Sequence, residues 1–141
     1  AFSWGIIMVS AAETNNINNI SLLLFFSCFF WIIAYDTAYA LCDKKDDLNL
    51  GINSSAITFG SIVVPLFFLF HLTSILILVY AAVLLNLHIS FYPFVLFSFL
   101  LAIYQTYLIK DQISSQCLKA FKNNNWLGLS IFLGSILGVS L

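Results

Sequence analysis

A continuous apolar run from Ile62 to Leu87, broken by a single strongly ionisable side chain, His71, constrains this chain more than any other feature. A bilayer core is about 30 Å thick and takes about 20 apolar residues in a helix, so the run is long enough to cross. Two further runs meet the same test. Ile20 to Leu41 carries one acid, Asp36, and Phe91 to Ile109 carries no charged residue. Trp126 to Leu141 is shorter, about 24 Å if helical, but it is free of charge and contains Gly128, Gly134 and Gly138, and it is expected to be a fourth span. The opening run, residues 1–12, is too short to cross alone and lacks an initiator Met. It is expected to be the tail of a helix whose start lies outside these residues.

Composition supports a lipid setting. With 62% hydrophobic and 8% charged residues, too few polar groups are present to coat a water-soluble globule. A signal peptide would begin with a basic region, and no Lys or Arg precedes Lys44. A membrane β-barrel would show stretches of about ten residues alternating in polarity, whereas Ser21 to Ile33 and Leu66 to Leu72 are nearly continuous in apolar residues. The longest polar stretches, Asp43 to Ser55 and Lys110 to Asn125, leave no room for a soluble domain. The expected fold is therefore an all-α, polytopic transmembrane helical bundle forming one domain over residues 1–141.

Charge placement orients the bundle. The five basic residues are Lys44, Lys45, Lys110, Lys119 and Lys122, in two segments separated by two spans. Both segments must lie on one side of the membrane, and the excess of Lys makes that side cytoplasmic. Glu13 to Asn19 and Asn86 to Ser90, without Lys, fall on the other side. The net charge of -1 gives no sign of nucleic acid as a partner. Cys28, Cys42 and Cys117 have no metal-site or disulfide spacing and are expected as reduced packing residues, Cys117 within a cytoplasmic loop. His71 is expected to pack inside the bundle and His88 to lie at the interface.

Four of the six acids fall between Ala34 and Gly60, in AYDTAYALCDKKDDLNLGINSSAITFG. If the helix continues beyond the membrane face, a turn of about 100° per residue brings Asp36, Asp43 and Asp47 within about 40° of one another. Tyr39 and Asp46 flank that stripe, while Lys44 and Lys45 turn mostly away. Carboxylates at i and i+4, such as Asp43 and Asp47, have Cβ atoms about 5–6 Å apart and repel unless a cation lies between them. An oxygen-only donor set suits Mg²⁺ or Ca²⁺ rather than zinc, and Mg²⁺ commonly bridges one or two carboxylates to substrate phosphates. A solvated loop between spans is the competing reading of a D-K-K-D-D run. Asp36 favours function, because an acid inside an apolar run is costly.

Tyr35-Asp36, Tyr39-Ala40, Asp43, Asp46-Asp47, Gly51-Ile52 and Ser54 together resemble the second aspartate-rich motif of the UbiA prenyltransferases. Within that superfamily the chain looks most like the 4-hydroxybenzoate polyprenyltransferases of ubiquinone synthesis. A second stretch, Lys119-Ala120-Phe121-Lys122-Asn123-Asn124-Asn125-Trp126-Leu127-Gly128, agrees with it. The resemblance covers the whole chain, as the C-terminal half of a nine-helix fold.

The resemblance implies an Mg²⁺-dependent enzyme of the bacterial inner membrane, or of the mitochondrial inner membrane in a eukaryote, with its active site facing the cytoplasm. It would transfer a polyprenyl group from polyprenyl diphosphate to the ring of 4-hydroxybenzoate. By position, the metal-binding pair falls on Asp43 and Asp47, with Asp36, Tyr39 and Asp46 beside the diphosphate. Lys44 and Lys45 could contact diphosphate or anchor to headgroups. Asn53 stands where close relatives often carry Lys, which removes one phosphate contact. The first motif, N-D-x-x-D or similar, is absent from these residues, so the chain alone is expected to be inactive and to need an N-terminal half. Related acceptors (homogentisate, dihydroxynaphthoate or haem) would fit the same chemistry. An ion-coupled transporter would place helix breaks near the midplane, whereas Pro65 is the only proline inside a long run.

Overall fold

A computed structural model describes residues 2–140. Six helices occur among the described residues: α1 (Trp4–Thr14), α2 (Asn19–Leu50), α3 (Ser55–Thr58), α4 (Val63–Leu84), α5 (Tyr92–Ile109) and α6 (Ser114–Ser140), with single 3₁₀ turns at Gly60–Ile62 and Ile89–Phe91. No strand occurs among the described residues. Among the described residues three helical segments are long and apolar enough to cross a membrane: Asn19–Leu50, Gly60–Leu84 and Ile89–Ile109.

Local chemistry sets the ends of these helices. Asn18 caps α2, its side chain accepting from the Ser21 amide at 2.8 Å. At the other end Gly51 takes the left-handed conformation (φ 69°), and the Ile52 amide donates to the Asp47 carbonyl at 2.9 Å. Glycine adopts that conformation without a Cβ penalty, so the helix stops there. Pro65 lies in the first turn of α4 and Pro93 in the first turn of α5, where a missing N–H costs nothing.

α2, α4, α5 and α6 form an antiparallel ring. Ser27 on α2 donates to the Ser74 carbonyl on α4 at 2.9 Å, and nearer the far end of α2 Phe30 stacks on Phe70. Between α5 and α6, Gln105 Nε2 donates to Asn123 Oδ1 at 3.1 Å, Ser130 donates to the Phe94 carbonyl at 2.9 Å, and Gly134 admits Phe94 and Phe91. Trp31 of α2 lies against Gly128 of α6, and Tyr39 against Phe121. Hydrophobic burial does little to associate helices in lipid, where close packing and interhelical hydrogen bonds carry the load. Small residues line the seams accordingly: Ala34, Ala38, Ala82, Ala102 and Ala120 are all buried. His71 is buried on α4 against Phe67, and its Nε2 has no hydrogen-bond partner. α1 packs on the lower part of α2 through Trp4 and Phe25.

Two expectations about the Lys110 to Asn125 stretch are corrected. Its greater part is helix rather than loop, because α6 begins at Ser114 and runs on through the polar residues. Cys117 is accordingly a fully buried residue in the first turns of α6, in the core with Leu41, Leu108 and Ile109. Burial first, and the nearby Cys42 second, push its thiol up to about 11.

Candidate functional site

α2 is 32 residues long, which at about 1.5 Å per residue gives about 48 Å. That exceeds a bilayer core by several turns, so the helix carries its last acids beyond the apolar slab in unbroken register. Ala34, Thr37, Ala38 and Leu41 bury one face of this part of α2. Asp36 and Tyr39 are exposed on the opposite side, and Asp43 and Asp47 are partly covered there, with Asp46 exposed beside them. The stripe drawn from helix phase is thus one open face of a single helix. Both ends of α2 are fixed by caps, so the phase between Asp36 and Asp47 is fixed as well.

All the Lys-bearing segments meet at this end of the bundle. Lys44 Nζ donates to Gln112 Oε1 at 2.7 Å, and Ser114 Oγ donates to the Cys42 carbonyl at 2.9 Å, tying α2 to the turn between α5 and α6. Lys44 and Lys45 line a cleft of about 870 Å³ with Leu48, Asp111, Gln112 and Leu118. That cleft lies on a different side of α2 from the acids. Helix phase puts Lys44 about 100° from Asp43, and its amine is engaged in the inter-helix tie.

Beside the open face, the seam of α2 and α6 holds a groove of about 560 Å³. Trp31, Tyr35, Phe121, Lys122, Asn125 and Gly128 line it. Aromatic rings connect it to the acids in sequence: Trp31 to Tyr35, Tyr35 to Phe121, and Phe121 to Tyr39, one turn from Asp43. Lys122 and Asn125 were not singled out from the sequence as site residues. Their only signal there was membership of the Lys119 to Gly128 motif. Among the described residues no three His, Cys, Asp or Glu side chains gather closely enough to enclose a metal ion. Asp43, Asp46 and Asp47 fan out from one turn instead, a donor set that suits a cation shared with an anionic ligand better than a closed cage.

Comparison with known proteins decides the family. The UbiA prenyltransferase family matches residues 1–136. The chain belongs to that family. It is 44% identical over 137 residues to a 4-hydroxybenzoate octaprenyltransferase of Nitrosomonas europaea, an overlap of 97% of this chain and 47% of that protein. The 4-hydroxybenzoate octaprenyltransferases of Marinobacter nauticus and Photobacterium profundum are 39% and 38% identical, over 99% and 100% of this chain and 48% and 49% of their own lengths. The chain spans about half the length of the curated relatives it matches. No solved structure matches it. In this UbiA chain the part of α2 that leads to the acidic turn, from Trp31 to Tyr39, meets the Lys119 to Gly128 stretch of α6 along one seam.

Proposed function

We propose that this chain forms the C-terminal half of a membrane prenyltransferase that moves a polyprenyl group from polyprenyl diphosphate to the ring of 4-hydroxybenzoate in ubiquinone synthesis. The observation that carries the reading is the acidic turn Asp43, Asp46 and Asp47 opening beside an aromatic groove at the Lys-rich end of the bundle. The names of the relatives support the substrates, and the placement of Lys favours an inner-membrane protein whose site faces the cytoplasm.

Asp43 and Asp47 are the residues that would hold Mg²⁺, with Asp46 and Asp36 adjoining. When bound, Mg²⁺ would offset charge developing on the departing diphosphate, the usual role of a metal at a phosphate leaving group. The chain's own residues do the rest. Trp31, Tyr35, Phe121 and Tyr39 present ring faces and edges along the path between groove and acids, where they exclude water, and Tyr39 and Phe121, the rings nearest Asp43, favour a cationic allylic carbon. Tyr39 sits one turn before Asp43 and borders the diphosphate position. Lys122 lines the groove on α6, next to Phe121, and supplies a positive charge there. Lys44 holds the end of α2 to Gln112, and Lys45 serves the headgroup region beside it.

A diphosphate carries several negative charges, and one carboxylate turn meets it with repulsion unless a second acidic wall helps hold the cations. An N-terminal half bearing the first aspartate-rich motif would supply that wall. In a host lacking its own enzyme, membranes containing both halves should convert 4-hydroxybenzoate and a polyprenyl diphosphate to 3-polyprenyl-4-hydroxybenzoate when Mg²⁺ is added. Residues 1–141 alone should make none. Product from the lone chain would overturn the two-wall mechanism, and no product from the inserted pair would overturn the substrate assignment.

A further inference from the structure

We propose that Trp31 is a specificity-determining residue, a fixed partition that limits how far an isoprenoid tail enters the bundle along the α2–α6 seam; this rests on the prenyltransferase reading above. The seam holds two cavities in succession. The first is the groove beside the acids. The second, about 230 Å³, lies farther from them and is lined by Leu24, Ser27, Leu78, Ile131 and Ser135. Only Trp31 and Cys28 line both. The indole is the larger of the two, so it makes most of the wall between them.

Three contacts prevent that wall from swinging aside. The indole N–H donates to Asn124 Oδ1 at 2.8 Å, and Asn124 is itself buried. The far edge of the ring lies over Gly128, where a Cβ would come within 3.0 Å of Cη2 and 3.3 Å of Cζ2. Tyr35 meets the ring edge-on, with centroids 6.4 Å apart. Rotating Trp31 away would strand a buried amide oxygen and an indole N–H together, each costly in a low-dielectric interior. The position along α2 also fits. Trp31 lies twelve residues before Asp43, so a tail whose diphosphate sits at the acids reaches the indole after about 18 Å of helix rise. Beyond it the second cavity is mainly apolar, lined by aliphatic side chains and serines whose hydroxyls are turned to backbone carbonyls, as Ser27 is to Ser74 and Ser135 to Ile131.

The experiment uses the complete enzyme that contains this chain, with 4-hydroxybenzoate and either geranyl diphosphate or a longer all-trans donor such as octaprenyl diphosphate. For Trp31→Ala and the milder Trp31→Leu, the ratio of kcat/KM for the long donor to that for the short one should rise about tenfold over wild type. Trp31→Phe, which keeps a ring in the wall, should stay within about threefold. Misfolding lowers both donors together and leaves the ratio unmoved, so Trp31→Leu remains informative if Trp31→Ala is poorly folded. A geranylgeranyl diphosphate analogue with a photoreactive end, long enough to span the rise to Trp31, should label Ile32 or Leu129 in wild type and reach Ile131 in Trp31→Leu. An unchanged ratio together with unchanged labelling, in a wild type that prenylates 4-hydroxybenzoate, would overturn the partition alone. A wild type inactive on every donor would instead overturn the prenyltransferase reading.

Discussion

Replacing Gly134 by Ala places a methyl group where α6 lies close against α5. An ideal Cβ at Gly134 would lie 2.7 Å from Phe94 Cβ, 3.2 Å from Phe94 Cγ and 3.3 Å from Phe91 Cδ2. Phe94 Cβ is bonded to the α5 backbone, so rotation of the side chain cannot relieve the shortest contact. The helices must part or α6 must turn, and either response loosens Ser130 from the Phe94 carbonyl. Overpacking of this kind costs about 1–3 kcal/mol, and a backbone-anchored contact belongs near the upper end. The substitution also gains about 1 kcal/mol of helix propensity. The net expectation is a loss of about 2 kcal/mol, or about thirtyfold in the folding equilibrium. Gly5→Ala is the matched control, because nothing lies within 4 Å of a Cβ there and only the propensity gain applies. Gly128→Ala should fall between them, since it meets only the far end of Trp31. Unfolding in mixed detergent micelles with increasing SDS, followed by tryptophan fluorescence, should order the variants Gly5→Ala, Gly128→Ala, Gly134→Ala from most to least stable. A Gly134→Ala protein as stable as Gly5→Ala would refute the close-packing account of the α5–α6 seam.

Two further outcomes test the site and the topology. Asp43→Ala and Asp47→Ala in the complete enzyme should each lower Mg²⁺-dependent prenylation by at least about a hundredfold, with membrane insertion intact; wild-type turnover in either would remove the acids from the mechanism. Asp36→Asn should have a smaller effect, since its carboxylate lies nearly two turns away from Asp43. In spheroplasts an impermeant maleimide should label Asn16→Cys but not Ser115→Cys, and permeabilised cells should label both. Native Cys117 should resist in both cases, because it is buried and at pH 8 a thiol with its pKa near 11 is only about one part in a thousand thiolate. Outside labelling of Ser115→Cys would invert the orientation.

Sequence alone revealed those parts of the fold governed by a single helix. Apolar length located the three helical segments long and apolar enough to cross, the expected fourth span from Trp126 not being among them, and helix phase grouped Asp36, Asp43 and Asp47 before any coordinates. What the phase argument could not supply was the continuity of α2 past the apolar run, which depends on Gly51 taking a left-handed cap after the acids rather than before them. The start of α6 was misread because polarity marks loops only when polar groups turn to water. Here Asn123 turns to Gln105 and Asn124 to Trp31, so the polar stretch is satisfied by neighbouring helices and stays helical. Hydropathy does not distinguish those two destinations.

The groove was out of reach for a related reason. Its wall joins residues as distant as Trp31 and Asn124, ninety-three positions apart, and neither carries a periodic signal pointing to the other. The acidic turn needs only α2, whereas the groove needs α2 and α6 antiparallel and in one register. That register is fixed at both ends of the bundle. At the opposite end of the bundle the His88 amide donates to the Gly138 carbonyl at 3.0 Å and Ser90 donates to the Leu137 carbonyl at 2.9 Å, holding the C-terminal end of α6 to the start of α5. At the acid end Ser114 is held to the Cys42 carbonyl. Pinned at both ends, α6 cannot slide along α2 by a turn without breaking one of these bonds, and a slide of one turn would carry Gly128 off Trp31 and Phe121 off Tyr39. The distance between the aromatic groove and the carboxylates is therefore set by hydrogen bonds at the two membrane faces, and the glycines of α6 are what let its side of the bundle close onto that register.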